Sequence, residues 1–223
     1  YVYKNGVKQD SPFAKYINFN SGVYSIFKDK DGTMWFGTKM DGLFKAIINK
    51  AGKLVQKDHF FKKEILKSVP GENSVYSIIQ DRKGRIWIGS FGGGLIMIQN
   101  DHGAQKILTL DNSFKNYPAG NFKRIRHLAE GPKGNIWIGT TDGLVVFNPD
   151  SAPPEQYRFK VYKKQPGKIN SLGGNDVEFI FKDHRNKMWV LTSSGGLNLA
   201  EGANPLDTLT FRNFSTRDGL PSD

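Results

Sequence analysis

The chain has 223 residues, a formal net charge of +11 from 32 Lys and Arg against 21 Asp and Glu, and no cysteine. Disulfides, thiolate metal sites and a cysteine nucleophile are therefore excluded. Its 38 % hydrophobic and 13 % aromatic content is too high for a disordered chain.

No apolar run approaches the roughly 20 residues needed to span a bilayer, and the opening "YVYKNGVKQD" lacks the apolar core of a signal peptide. Excess positive charge favours anionic partners over a distance. The lysines, however, lie singly or in pairs such as Lys62-Lys63 and Lys163-Lys164. Such scatter reads as solvated surface, and a nucleic-acid partner is not expected.

In chain order, residues 1–20 read as the third and fourth strands of a unit whose first half precedes them. A motif then recurs: "GTMWFGTKMDGL" from Gly32, "GRIWIGSFGGGL" from Gly84, "GNIWIGTTDGL" from Gly134 and "NKMWVLTSSGGL" from Asn186. The copies contain all four tryptophans, Trp35, Trp87, Trp137 and Trp189, spaced by 52, 50 and 52 residues. That period marks a solenoid, propeller or array. Each unit holds four short apolar runs; in the second copy they are "SVYSIIQD", "RIWIGSF", "LIMIQN" and "KILTL". Bounded by Gly, Asn, Asp or Ser, they predict four strands joined by tight turns.

The fold class expected is all-β: a β-propeller segment with four complete four-stranded blades plus half of a preceding blade, part of a larger propeller. The blades span residues 21–70, 71–120, 121–170 and 171–216, and 217–223 reads as a linker into a further blade. A blade covered on both faces loses polar alternation, which explains the continuous "IWI". Each Trp is expected to wedge between blades, with the glycine two residues on (Gly37, Gly89, Gly139) permitting close approach. Leu191 replaces that glycine in the fourth copy, so its junction should differ. The first two strands are joined by "DKDG", "DRKG", "GPKG" and "DHRN", in which Asp suits the turn start and Gly or Asn the later left-handed position.

With these residues in view, "NSVYSIIQDRKGRIWIGSFGGGL" resembles the two-component regulator propeller repeat. "SGVYSIFKDKDGTMWFGTKMDGLF" and "GNIWIGTTDGL" fit the same pattern, "NDVEFIFKD" fits it in the fourth copy, and "STRDGLPSD" resembles the family's inter-blade linker. The resemblance implies a seven-bladed propeller in the periplasmic sensor region of a hybrid histidine kinase of gut Bacteroidetes, anchored in the membrane only through the parent chain. It also implies recognition of an oligosaccharide released from a complex glycan, other blades or domains of the same chain as partners, and a homodimeric parent.

Propeller ligands sit where innermost strands begin and second-to-third strand loops emerge. With the first run innermost, the position eleven before each Trp is Tyr24, Tyr76, Arg126 and Glu178, variable within otherwise uniform strands. These are the candidate ligand-binding residues, with Lys39 and Phe91 from the loops and His127 beside Arg126. The tyrosines suit stacking on sugar faces, and Arg126 suits clamping a carboxylate or sulfate. The charge tilts the ligand towards an acidic sugar. Neither cofactor nor metal is expected: His127 has no second ligand at a suitable spacing, and His59, His102 and His184 fall at unrelated phases. No catalytic residues are assigned. The rivals are a scaffold for dimerisation or protein interaction, and a propeller lyase using Glu178 and His127.

Overall fold

A computed structural model describes residues 2–4, 7–9, 21–51, 53–60, 73–101 and 104–221. Strands β1 (Val2–Lys4) and β2 (Val7–Gln9) form an antiparallel pair. The rest of the expected preceding half-blade, residues 10–20, lies outside the described residues, as do Ser222 and Asp223 of the expected linker.

Four four-stranded antiparallel sheets follow, each a meander in chain order. The first contains β3 (Val23–Lys28), β4 (Met34–Thr38), β5 (Leu43–Ile48) and β6 (Leu54–Phe60). The second contains β7 (Asn73–Gln80), β8 (Ile86–Gly92), β9 (Gly94–Asp101) and β10 (Ala104–Leu108). The third is β11 (Ile125–Glu130), β12 (Ile136–Thr140), β13 (Gly143–Phe147) and β14 (Lys160–Tyr162). The fourth is β15 (Val177–Lys182), β16 (Met188–Thr192), β17 (Gly196–Glu201) and β18 (Thr210–Phe214). These are the four expected blades. Strand β3 packs against β7, β7 against β11, and β11 against β15, so the first strand of each blade is innermost.

The first three of the repeated tryptophans are inter-blade wedges. Trp35 packs with Val75, Ile78 and Ile88 of the second blade. Trp87 packs with Ile125, Leu128 and Ile136 of the third, and Trp137 with Val177, Ile180 and Met188 of the fourth. The accompanying glycines touch the next blade so closely that a Cβ would collide. At Gly89 it would lie 2.5 Å from Ile125 Cγ2, and at Gly139 2.8 Å from Val177 Cγ1. Leu191, at the same position in the fourth blade, is 41 % exposed.

The turn aspartates do more than start a turn. Asp81 Oδ1 accepts the N–H groups of Lys83 and Arg85, while Oδ2 accepts the indole N–H of Trp87 at 2.8 Å. Asp29 does the same for Asp31, Thr33 and Trp35, and Asp183 for Arg185, Lys187 and Trp189. One carboxylate thus closes the turn and fixes the wedge. Gly32, Gly84 and Gly134 take φ of 86°, 84° and 78°, and Asn186 takes 61°, as the substitution of Asn for Gly predicts. A second carboxylate binds the middle blades together. Asp150, in the turn after β13, pairs with Arg82 at 2.8 Å, Lys83 at 3.0 Å and Arg85 at 2.8 Å from the turn of the second blade.

Beside the variable position of each of the first three innermost strands stands an inter-blade peg. Ser25 Oγ donates to Val75 O at 3.2 Å, and Ser77 Oγ accepts from Leu128 N–H at 3.0 Å. In the third blade His127 takes this place: Nδ1 accepts the N–H of Ile180 at 3.3 Å and the ring lies 4.1 Å from Phe179. Burial lowers the His127 pKa from 6.5 to about 4. The unfolded chain therefore binds this proton below pH 6.5 while the folded chain refuses it until about 4, so the stabilisation is complete above 6.5 and disappears as pH falls through 4. The expected loss between pH 7 and pH 4 is on the order of 2–3 kcal/mol more in the native protein than in His127→Gln. Urea unfolding at both pH values measures the difference; parallel curves for the two proteins would refute it.

Candidate functional site

The four variable positions share one backbone feature. In each innermost strand the register with the second strand shifts at the same place: between Val23 and Ser25, Val75 and Ser77, Ile125 and His127, and Val177 and Phe179. The residues skipped are Tyr24, Tyr76, Arg126 and Glu178. Each is the extra residue of a β-bulge, left out of the ladder and re-aimed by the local kink. Bulges stacked blade on blade bring these four side chains into one row.

The row is chemically graded. The Tyr24 and Tyr76 rings lie 4.8 Å apart, and Tyr76 lies 5.3 Å from Phe91, which belongs to the β8–β9 hairpin. The guanidinium of Arg126 stands 5.7 Å from the Phe91 ring, and that of Arg124 5.8 Å from it. Arg126 then turns to the fourth blade, donating through Nε and Nη2 to the two carboxylate oxygens of Asp176 at 2.7 and 3.0 Å. Its pKa is raised by that pairing, opposed by burial and reinforced by the nearby charge of Glu178. Burial, then Tyr24, raises the Tyr76 hydroxyl above its ordinary value, so it remains a neutral donor.

Of the residues expected from sequence, Tyr24, Tyr76, Phe91 and Arg126 meet in one cluster with Glu178 at its charged end. Lys39 is tied in through its backbone, its carbonyl accepting from Ser74 Oγ, and its side chain is exposed. His127 belongs to the blade junction: its Nδ1 is occupied and its ring stays neutral down to about pH 4. Arg124 and Asp176 went unnoticed in the sequence. They stand two residues before the bulges, where the other blades have Gly22 and Ser74, so the same variability signal was present two positions upstream.

The arrangement provides three tilted aromatic rings beside a bidentate ion pair. It suits a flat ligand with polar edges. Among the described residues no cluster of three or more His, Cys, Asp or Glu is placed to hold a metal ion. No helix among them is long and apolar enough to cross a membrane.

Comparison with solved structures supports the architecture. The chain is similar to the extracellular domain of BT4673 from B. thetaiotaomicron, assigned to a one component system in one structure and to a hybrid two component system in another. Identity is 24 % and 22 %, TM-score 0.60 and 0.58, with 81 % of this chain covered in each case. It spans only about a fifth of those domains, 22 % and 21 %. It also resembles a virginiamycin B lyase from Staphylococcus aureus solved with quinupristin, at 15 % identity and TM-score 0.59, covering 92 % of this chain and 58 % of the lyase. At these identities the likeness concerns the fold. Comparison with curated proteins finds no match. The model of the two component regulator propeller family matches residues 18–40, 70–92 and 120–142, the first three Trp copies. The chain is thus a β-propeller segment whose first three blades carry the two component regulator propeller repeat.

Proposed function

We propose that this chain is part of the extracytoplasmic sensor of a hybrid two-component system, binding an oligosaccharide from glycan breakdown unchanged and relaying its presence to a histidine kinase elsewhere in the protein. The row of bulge residues carries this reading. Tyr24, Tyr76 and Phe91 present ring faces to the C–H-rich faces of sugars, and the Arg126–Asp176 pair offers fixed polar edges to hydroxyls. The extracellular setting of the similar BT4673 domain supports the location. Because Arg126 already gives two N–H groups to Asp176, the charge available to an acidic sugar rests on Arg124.

Calorimetric titration of the full-length protein with a panel of neutral and acidic oligosaccharides tests the proposal. Tyr76→Ala should weaken binding about tenfold by removing the central ring of the aromatic cluster. Arg124→Ala should flatten the salt dependence for acidic ligands. Absence of any carbohydrate binding, or unchanged affinity in Tyr76→Ala, would overturn it. A scaffold role is favoured by a different observation: Ile26 in the first blade is 64 % exposed, and Phe181 and Leu191 in the fourth are 54 % and 41 % exposed. Under that reading polar substitutions at Ile26 and Phe181 disrupt association with other blades, domains or a second copy, and Tyr76→Ala leaves signalling intact.

A further inference from the structure

At the end of the innermost strand away from the bulge, the turn into the second strand grips the next blade at two of the three junctions. At the first, the N–H of Lys30, second residue of its turn, donates to Gln80 Oε1 at 2.9 Å. Lys30 Nζ also donates to the carbonyls of Asp81 and Arg82, each at 3.4 Å. Arg82 holds the same turn position at the second junction. Its N–H donates to Glu130 Oε1 at 3.3 Å, and its guanidinium pairs with Asp150 of the third blade at 2.8 Å. Gln80 and Glu130 each end the innermost strand of the blade being gripped. The two junctions therefore share one latch, in which a turn N–H and a cation of one blade meet oxygen acceptors of the next.

The third junction lacks both halves of it. The second turn position is Pro132, which has neither an N–H nor a charge. The counterpart of Gln80 and Glu130 is Lys182, the last residue of β15, whose side chain has no acceptor. Among the described residues, no hydrogen bond or ion pair joins the turn at residues 131–135 to Lys182 or to the turn at residues 183–187. A cavity of about 200 Å³ lies there instead, with Lys133 on the third blade and Arg185 and Lys187 on the fourth. Like charges thus line both sides of it and repel. The opposite end of the same junction is closed. Arg126 donates twice to Asp176, at 2.7 and 3.0 Å, and His127 Nδ1 accepts the N–H of Ile180. At the outer rim the Tyr162 hydroxyl donates to Pro205 O at 2.7 Å.

We infer that the junction between the third and fourth blades is a movable joint, opening at its turn end about a fulcrum at the bulge row. Parts of a fold that open locally are those with few directional ties, and here the ties are confined to one end. Opening separates the facing cations and admits water to the cavity. Because the Arg126–Asp176 pair is the fulcrum, what that pair contacts sets how far the turn end opens. A change at the row is thereby relayed to the opposite face of the segment. The joint depends on no property of any ligand and stands independently of the sensor reading.

Dipolar EPR of the spin-labelled full-length protein tests the joint without a ligand. Asp31, Lys83, Lys133 and Arg185 are all exposed and share the third turn position, so paired cysteine substitutions there report on the three junctions with equivalent geometry. No cysteine in the 223 residues competes for the label, and any elsewhere in the protein is replaced by serine. The distance distribution between labels at Lys133→Cys and Arg185→Cys should be broader than those for positions 31 with 83 and 83 with 133. Pro132→Arg combined with Lys182→Glu writes the Arg82 and Glu130 latch into the third junction, and should narrow its distribution to the breadth of the other two. Asp176→Asn, which weakens the fulcrum, should broaden the third distribution further and leave the first unchanged. Three equally broad distributions in the otherwise native protein would overturn the inference, and this comparison carries the test alone should a variant fail to fold. A third distribution indifferent to the grafted latch, or to Asp176→Asn, would also overturn it.

Discussion

Replacing Asp81 with alanine is expected to destabilise the protein by about 3–5 kcal/mol, because it takes the acceptor from one buried indole N–H and three partly buried donors at once. Asp81 is 1 % exposed and accepts from Lys83 N–H, Arg85 N–H, Arg85 Nε at 2.5 Å and Trp87 Nε1. Trp87 is itself fully buried and stands edge-on to Phe147, 5.3 Å away in the third blade. Losing the carboxylate therefore loosens the wedge between blades as well as the turn. The effect extends to Arg85, whose guanidinium also reaches Pro149 O and Asp150 across the junction. Asp183→Ala serves as the comparison. Its Trp189 is only partly buried, so solvent can replace the lost acceptor, and a distinctly smaller cost is expected. Denaturant unfolding of both variants measures the difference, and an Asp81→Ala cost below that of Asp183→Ala would contradict the role given to the carboxylate.

Gly37→Ala should cost about 2–4 kcal/mol although it adds a single methyl group. A Cβ there would lie 2.6 Å from Val75 Cγ1 and 2.7 Å from the Val75 carbonyl oxygen, and would also collide with Ser25 Oγ. A side chain can rotate away, but the Val75 carbonyl belongs to the innermost strand of the next blade. Relief requires the first two blades to separate, which breaks the Ser25 to Val75 hydrogen bond and opens the contact around Trp35. The fourth blade provides the control. Leu191 sits at the equivalent position half exposed, and Leu191→Ala is expected to change stability by less than about 1 kcal/mol. Thermal unfolding distinguishes the two cases; equal shifts would show that the glycine position is not a point of inter-blade contact.

The sequence by itself determined the architecture. A 50–52-residue period, four strand-like runs per unit and turn residues in phase specify a blade, because alternation, β-propensity and left-handed turn positions are all local properties of the chain. It also exposed Tyr24, Tyr76, Arg126 and Glu178 as a variable position inside uniform strands. What it concealed was why that position varies: all four copies carry the same extra residue, so the bulge leaves the repeat period unchanged and becomes visible only when the first strand is paired with the second. The reach of the turn aspartate to an indole six residues later was hidden similarly, since it requires the turn to fold the chain back on itself. Contacts between blades were decided by tertiary structure alone. Arg126 meets Asp176 from 50 residues away, His127 serves as a peg between the third and fourth blades, and Gly131 leaves the Trp137 indole N–H without the acceptor its counterparts have. Each depends on how one blade's face lies against the next, and no local pattern of residues encodes that.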